Sequence, residues 1–193
     1  MTFAPPPAVA AWRHRDARDG FEVVYLEAAE SGLLVEGYAT AVESGETWAV
    51  EYLIAVDEDW RTRNARVRAR THTGARELLI ECDPAGAWTV NGAAAPELDG
   101  CLDVDLEASS FTNAFPVHRL ALDVGEEADA PAAYVRALDL SVERLEQRYV
   151  RLPDDGERPR FHYTSPAFDF EADLVYDAAG LVIDYPGIAV RAA

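Results

Sequence analysis

Lysine is absent: all 17 basic side chains of the 193-residue chain are arginines, set against 35 Asp and Glu, for a net charge of -18. Such a field repels phosphate backbones and anionic bilayer surfaces, so nucleic acid and charged membranes are disfavoured as partners. Cysteine is nearly as scarce. Cys82 and Cys101 make no disulfide framework in a chain of this length, and each reads as a small buried residue. No stretch approaches the roughly 18 apolar residues of a transmembrane segment. The start, Met-Thr-Phe-Ala-Pro-Pro-Pro, has neither a basic n-region nor an apolar h-region, so a cytoplasmic location is expected. His14, His72, His118 and His162 are scattered without the spacing of a zinc site. There is no GxSxG elbow and no Gly-rich phosphate loop. No metal, no cofactor and no catalytic residue set is expected.

What is present is material for one β domain. Hydrophobic residues make up 49% of the chain, ample for a core. Segments such as Phe21 to Leu26, Leu33 to Val42 and Thr47 to Val56 are rich in aromatic and β-branched residues, with turn clusters at 30–32 and 43–46 between them. Similar short runs continue to the C-terminus, among them 133–140 and 147–152. Close spacing of short strands predicts a mainly β fold, one large antiparallel sheet that is rolled or closed. One helix is predicted near 109–119, where Ser109 and Ser110 can cap and Phe111 and Phe115 share a face, with Pro116 ending or kinking it. A second candidate lies at 140–148, with Ser141 as its cap. Residues 1–11 read as a flexible tail and 12–193 as a single domain.

The polar residues concentrate between Gly100 and Arg119. On a strand, Asp103 and Asp105 share a face about 6–7 Å apart, opposite Leu102, Val104 and Leu106. They suit an acid/base pair, oxygen ligation of a hard cation, or ion pairing with Arg119, Arg61 or Arg63. Arg66, Arg68 and Arg70 form a stripe on the other face of their strand from Arg61 and Arg63, and read as neutralising neighbouring acidic strands. A Cys101 nucleophile would need His118 beside it. Trp12, Trp48, Trp60 and Trp88, with eight Tyr and seven Phe, supply surfaces for a core or for a sugar- or lipid-binding cavity.

Gly100-Cys101-Leu102-Asp103-Val104-Asp105-Leu106, followed by Ser110-Phe111-Thr112-Asn113-Ala114-Phe115-Pro116-Val117-His118-Arg119-Leu120, resembles the signature of the putative glycolipid-binding family, formerly a bacterial domain of unknown function. Trp60-Arg61-Thr62-Arg63, Gly86-Ala87-Trp88, Gln147-Arg148-Tyr149 and the segment 180–187 extend the likeness from about residue 12 to the C-terminus. Ser110, Phe115 and His118 depart from the family's usual Pro, Leu and Arg. The resemblance implies a spiral β-roll, a sheet wound around a single helix, and a homodimer. It leads to a non-catalytic reading in which a glycolipid or other lipid is the ligand. Its acyl part would lie near Phe111, Phe115 and Trp88, and its head group would be held by Asp103, Asp105, Asn113, Arg119, Arg61 and Arg63. Two alternatives stay open: an enzyme using Asp103 and Asp105 as acid and base on a small sugar-like molecule, and a purely structural polar cluster.

Overall fold

The computed structural model describes residues 2–193. In the first half, Val9–His14 (β1), Asp19–Ala29 (β2), Gly32–Glu43 (β3), Glu46–Val56 (β4), Thr62–Thr71 (β5) and Gly74–Cys82 (β6) pair successively and antiparallel. Alternation builds this wing. Trp48, Val50, Tyr52 and Ile54 of β4 and Ala65, Val67 and Ala69 of β5 point inward, while the residues between them face outward. Ser44 and Gly45 both take positive φ, the turn whose twist matches that of the strands it joins. Trp88–Val90 (β7) and the two-residue Ala93–Ala94 (β8) end the wing.

After Asp103–Leu106 (β9) the chain forms a 3-10 turn, Phe111–Asn113, and then the helix Ala114–Leu120 (α1). The remaining strands are Glu127–Asp129 (β10), Ala132–Val135 (β11), Val142–Leu145 (β12), Arg148–Asp155 (β13), Arg158–Ser165 (β14), Phe170–Tyr176 (β15), Val182–Tyr185 (β16) and Ala189–Arg191 (β17). Antiparallel pairing of β1 with β17, through Trp12↔Arg191 and His14↔Ala189, joins the two halves. The result is one 14-stranded sheet running β10-β13-β14-β15-β16-β17-β1-β2-β3-β4-β5-β6-β7-β8, rolled but not closed. A second sheet, β12-β11-β9, contains one parallel pair, β9 with β11.

The mainly β fold around one short helix is as the sequence predicts, with local differences. The 140–148 segment is no helix: Val142–Leu145 is a strand, because β11 offers it an antiparallel partner, and Ser141 closes a turn on Asp139 rather than capping. The strand expected over 133–140 stops at Val135, where Arg136 and Leu140 close a turn. Pro116 does not end the helix. It lies in the first turn of α1, where its missing N–H would have had no helical partner. Residues 9–11, expected in a tail, belong to β1, because β2 offers their backbone a ladder, and Ala4 N–H reaches Ala178 O.

The helical segment separates two cores. Phe111, Ala114 and Phe115 pack with Trp12, Trp48 and Trp88 on one side, and Val117 packs with Tyr149, Phe161, Leu174 and Tyr176 on the other. Each buried Phe ring contributes about 1.5–3 kcal/mol by its removal from water.

Candidate functional site

Three polar clusters lie around the helix, two of them buried. In the first, Arg119 of α1 grips Asp103 of β9 with both ends of its guanidinium: Nε to Oδ1 at 3.1 Å and Nη2 to Oδ2 at 2.5 Å. Both side chains are almost fully enclosed. Burial pushes the Asp103 carboxyl up from the ordinary carboxylate range, and the Arg119 charge pulls it back.

In the second, Glu22 points inward from β2 and is fully buried. Its Oε1 accepts from the Tyr52 hydroxyl at 2.6 Å and from Ser109 Oγ at 2.5 Å, and its Oε2 accepts from the Ser110 N–H at 2.8 Å. Burial raises this carboxyl too, against the pull of its donors. Tyr52 reaches it by lying flat over Gly37, where a Cβ would sit 1.9 Å from the ring. Nothing in the sequence reading named Glu22, although the period-2 pattern puts it in phase with buried Val24 and so marks it as an inward acid.

The third opens to solvent. Asp105 and Tyr134 are register partners on β9 and β11, so their side chains leave the same face of the small sheet. That face, with Glu107, Arg136 and Leu145, forms one side of a cleft of about 290 Å³. The other side carries Tyr163 of β14, Phe168 on a 3-10 turn, Phe170 of β15 and Tyr185 of β16. Tyr163, Phe170 and Tyr185 form a ring triangle with centroids 5.9–6.1 Å apart. Tyr134 and Phe168 meet at 5.3 Å beneath the Arg136 guanidinium. Ser109, Asn113, Arg18 and Glu43 also line it, with Ala17, Leu106 and Ile188.

Asp105 has no cation of its own. Its Oδ1 accepts from Thr112 Oγ1 at 2.8 Å and its Oδ2 from Gln147 Nε2 at 2.5 Å. Burial pushes its carboxyl up to about 6; the two donors pull it down, and neighbouring Asp103 and Glu107 add to the rise. A folded pKa above the unfolded value near 3.9 means that the folded state binds the proton more tightly. The resulting stabilisation is complete below about pH 4 and is lost as the pH rises through 6. In urea titrations from pH 4 to 7, wild type should therefore lose on the order of 2–3 kcal/mol relative to Asp105→Asn. Equal slopes for the two proteins would contradict this environment for Asp105.

The sequence-predicted site residues divide among these places. Asp105 and Asn113 line the cleft, and Asn113 Oδ1 accepts from the Tyr149 hydroxyl at 3.0 Å. Asp103 and Arg119 pair beside it. Phe111, Phe115 and Trp88 are wholly buried core; Phe111 and Phe115 meet edge to face at 5.5 Å, and Trp88 donates to Cys101 O at 3.0 Å. Arg61 and Arg63 lie in a separate small groove with Pro84 and Gly86, and Arg63 pairs with Asp57 rather than with an aspartate of β9. Cys101 and His118 do not form a nucleophile pair. His118 lies flat on Trp60 with Nε2 against Ala179 O at 2.9 Å, whereas Cys101 faces Arg144, its thiol pushed up to about 11 by burial. The cleft aromatics and Gln147 were not named as site residues. They stand 29 to 80 residues away from Asp105 in sequence, and no local pattern marks them.

The whole chain superimposes on the crystal structure of a DUF1089 family protein from Pseudomonas aeruginosa with a TM-score of 0.78 and 32% sequence identity, over 100% of this chain and 97% of that one. No curated protein matches it. The sequence model described as "Putative glycolipid-binding" matches residues 9–191, nearly the full length. The chain belongs to the putative glycolipid-binding family.

Proposed function

We propose that this protein binds the sugar head group of a glycolipid in the cleft over Asp105. The observation that carries the proposal is the pairing of an Asp105 carboxylate that lacks a cation with aromatic walls on both sides. Ring faces accept the C–H faces of a sugar, and a carboxylate and an amide fix its hydroxyls. The volume, about 290 Å³, sits at the small end of the roughly 300–1,000 Å³ usual for ligand sites, enough for a head group but not for acyl chains as well. Chains would leave over the rim, where Phe168 is 40% exposed. Asn113, Arg18 and Arg136 join Asp105 in holding the head group. Asp103 and Arg119 brace the strand that presents Asp105, and Arg61 and Arg63 lie outside the site.

The test is native mass spectrometry of the protein after incubation with vesicles of mixed polar lipids, followed by organic extraction. A sugar-bearing lipid at one per chain is expected, with occupancy falling at least tenfold in Asp105→Ala and Tyr163→Ala. An empty wild-type protein, or variants as loaded as wild type, would remove the assignment.

The homodimer implied by the family likeness has a candidate face on the outer side of β2–β6, where Phe21, Tyr25, Tyr38, Val42, Leu53 and Leu79 stand exposed. Light scattering should give twice the chain mass of 21.2 kDa, falling to the monomer in Tyr38→Glu. A wild-type monomer would contradict it.

A further inference from the structure

We propose that the sugar held in the cleft carries a protonated amine, seated between Asp105 and the rings of Tyr163, Phe170 and Tyr185. The inference rests on the sugar-binding reading above and names the class of head group.

The charges that line the cleft do not balance. Three carboxylates, Glu43, Asp105 and Glu107, stand against two guanidiniums, Arg18 and Arg136, with no histidine among them. Arg18 Nε lies 3.9 Å from Glu43. Arg136 Nη1 lies 3.6 Å from Glu107, and Arg136 pairs also with Glu143 outside the cleft. Asp105 is the acid left over. Its donors, Thr112 and Gln147, are neutral, and burial pushes its carboxyl up only to about 6, so most chains carry its charge at pH 7. An enclosed carboxylate without a counter-charge is costly, and a cation on the ligand relieves that cost.

The rings divide in the same way. The Arg136 guanidinium carbon lies 5.2 Å from the ring centroids of both Tyr134 and Phe168, and that of Arg18 lies 5.4 Å from Trp48. Each cation of the cleft thus has an acid on one side and an aromatic face on the other. Among the described residues, no cation lies over Tyr163, Phe170 or Tyr185. These rings are tied to Asp105. Gln147, which donates to Asp105 Oδ2 at 2.5 Å, stands against the Tyr163 hydroxyl, and so does Tyr185. Burial, and after it the Asp105 charge, pushes the Tyr163 hydroxyl up, so that ring stays neutral. One acid and one set of rings therefore lack the cation that their counterparts in the cleft have, and an ammonium on the ligand completes the pattern.

The remaining surroundings agree. The field of a chain of net charge -18 favours a cationic head group over a phosphate or sulfate. Asn113 brings a side-chain amide to the same cleft for the hydroxyls of the sugar ring.

The test is a calorimetric titration of the full chain at pH 7 with hexyl β-glucoside, its 2-amino and 6-amino forms, and the N-acetyl derivative of each amine. At least one amine should bind about tenfold or more tightly than hexyl glucoside and than its own N-acetyl form, which removes the charge. Physiological salt screens charges beyond about 8 Å, so general attraction to an acidic chain does not produce the difference. Asp105→Asn should bring amine and N-acetyl forms to near-equal affinity, whatever each loses in absolute terms. Carboxyl-carbon NMR of the wild type gives a second readout that needs no variant. Because a tenfold preference for the ionised carboxylate equals one pH unit, the saturating amine should lower the Asp105 titration midpoint by about one unit or more. Equal affinities for charged and neutral sugars would overturn the amine and leave the sugar site standing, while no binding of any glycoside overturns both. An amine preference that survives in Asp105→Asn, or an Asp105 midpoint that the bound amine does not move, overturns the seat at Asp105.

Discussion

Asp103→Ala is expected to cost about 3–5 kcal/mol in chemical denaturation, because it leaves the Arg119 guanidinium enclosed without its carboxylate. The reciprocal change should be milder. In Arg119→Ala the stranded Asp103 can take a proton, and burial already pushes its carboxyl in that direction. The cost of Arg119→Ala should therefore shrink as the pH falls, while the cost of Asp103→Ala should stay. The double change Asp103→Ala with Arg119→Leu should recover much of the loss, since neither buried charge remains. Lipid occupancy per folded chain should hardly move in these variants, because the pair lies beside the cleft and braces β9. A large loss of binding in a protein of normal stability would return Asp103 to the head-group site, where the sequence reading put it.

Glu22→Ala is expected to be at least as damaging. It removes one acceptor from three buried donors, the Tyr52 hydroxyl, the Ser109 hydroxyl and the Ser110 N–H. A stranded buried donor costs about 1–3 kcal/mol, so a loss of roughly 4–6 kcal/mol follows, a large share of the 5–15 kcal/mol of an ordinary domain. Glu22→Gln keeps the volume and one acceptor oxygen and should cost much less. The damage has a definite place. Ser109 also receives the N–H groups of Phe111 and Thr112, so Glu22 anchors the turn that starts the helix. Hydrogen exchange should show 109–117 losing protection before β4 and β5. Unchanged protection there, with a stability loss below about 1 kcal/mol, would contradict this role.

The parts of the fold that were legible from sequence are those governed by local rules. Strands β2 to β6 alternate, and Gly32, Ser44 with Gly45, and Gly74 take positive φ at three of the turns between them, so their existence follows from period and turn chemistry. The helix near Phe111 and Phe115 was legible for the same reason. Of the small sheet, 102–106 and 133–140 were legible as strands, but their parallel pairing was not. Ala132–Val135 is buried at every position and shows no alternation, and a parallel pair of four-residue strands leaves no turn signal.

The site was half legible. The segment around Arg61 and Arg63 does meet β9, but through Thr62, whose N–H reaches Leu102 O at 2.9 Å and whose hydroxyl accepts the Val104 N–H at 3.0 Å. One step of strand period then turns both arginines outward, which is why Arg63 finds Asp57 instead of an aspartate of β9. Phe111, Phe115 and Trp88 were read as lining a cavity, yet the space between sheet and helix around them is packed core. The rings that do line a cleft, Tyr134, Tyr163, Phe168, Phe170 and Tyr185, are brought to Asp105 only by the roll of the sheet and by the β9–β11 pairing.

The most direct test of the central claim is an NMR titration of isotopically labelled protein with a water-soluble alkyl glycoside. Saturable shifts are expected at Tyr134, Tyr163, Tyr185, Asn113 and the Gln147 side-chain amide, and Asp105→Ala should abolish them. Saturable shifts confined to the outer face of β2–β6, or to the groove of Arg61 and Arg63, with the cleft silent, would contradict it.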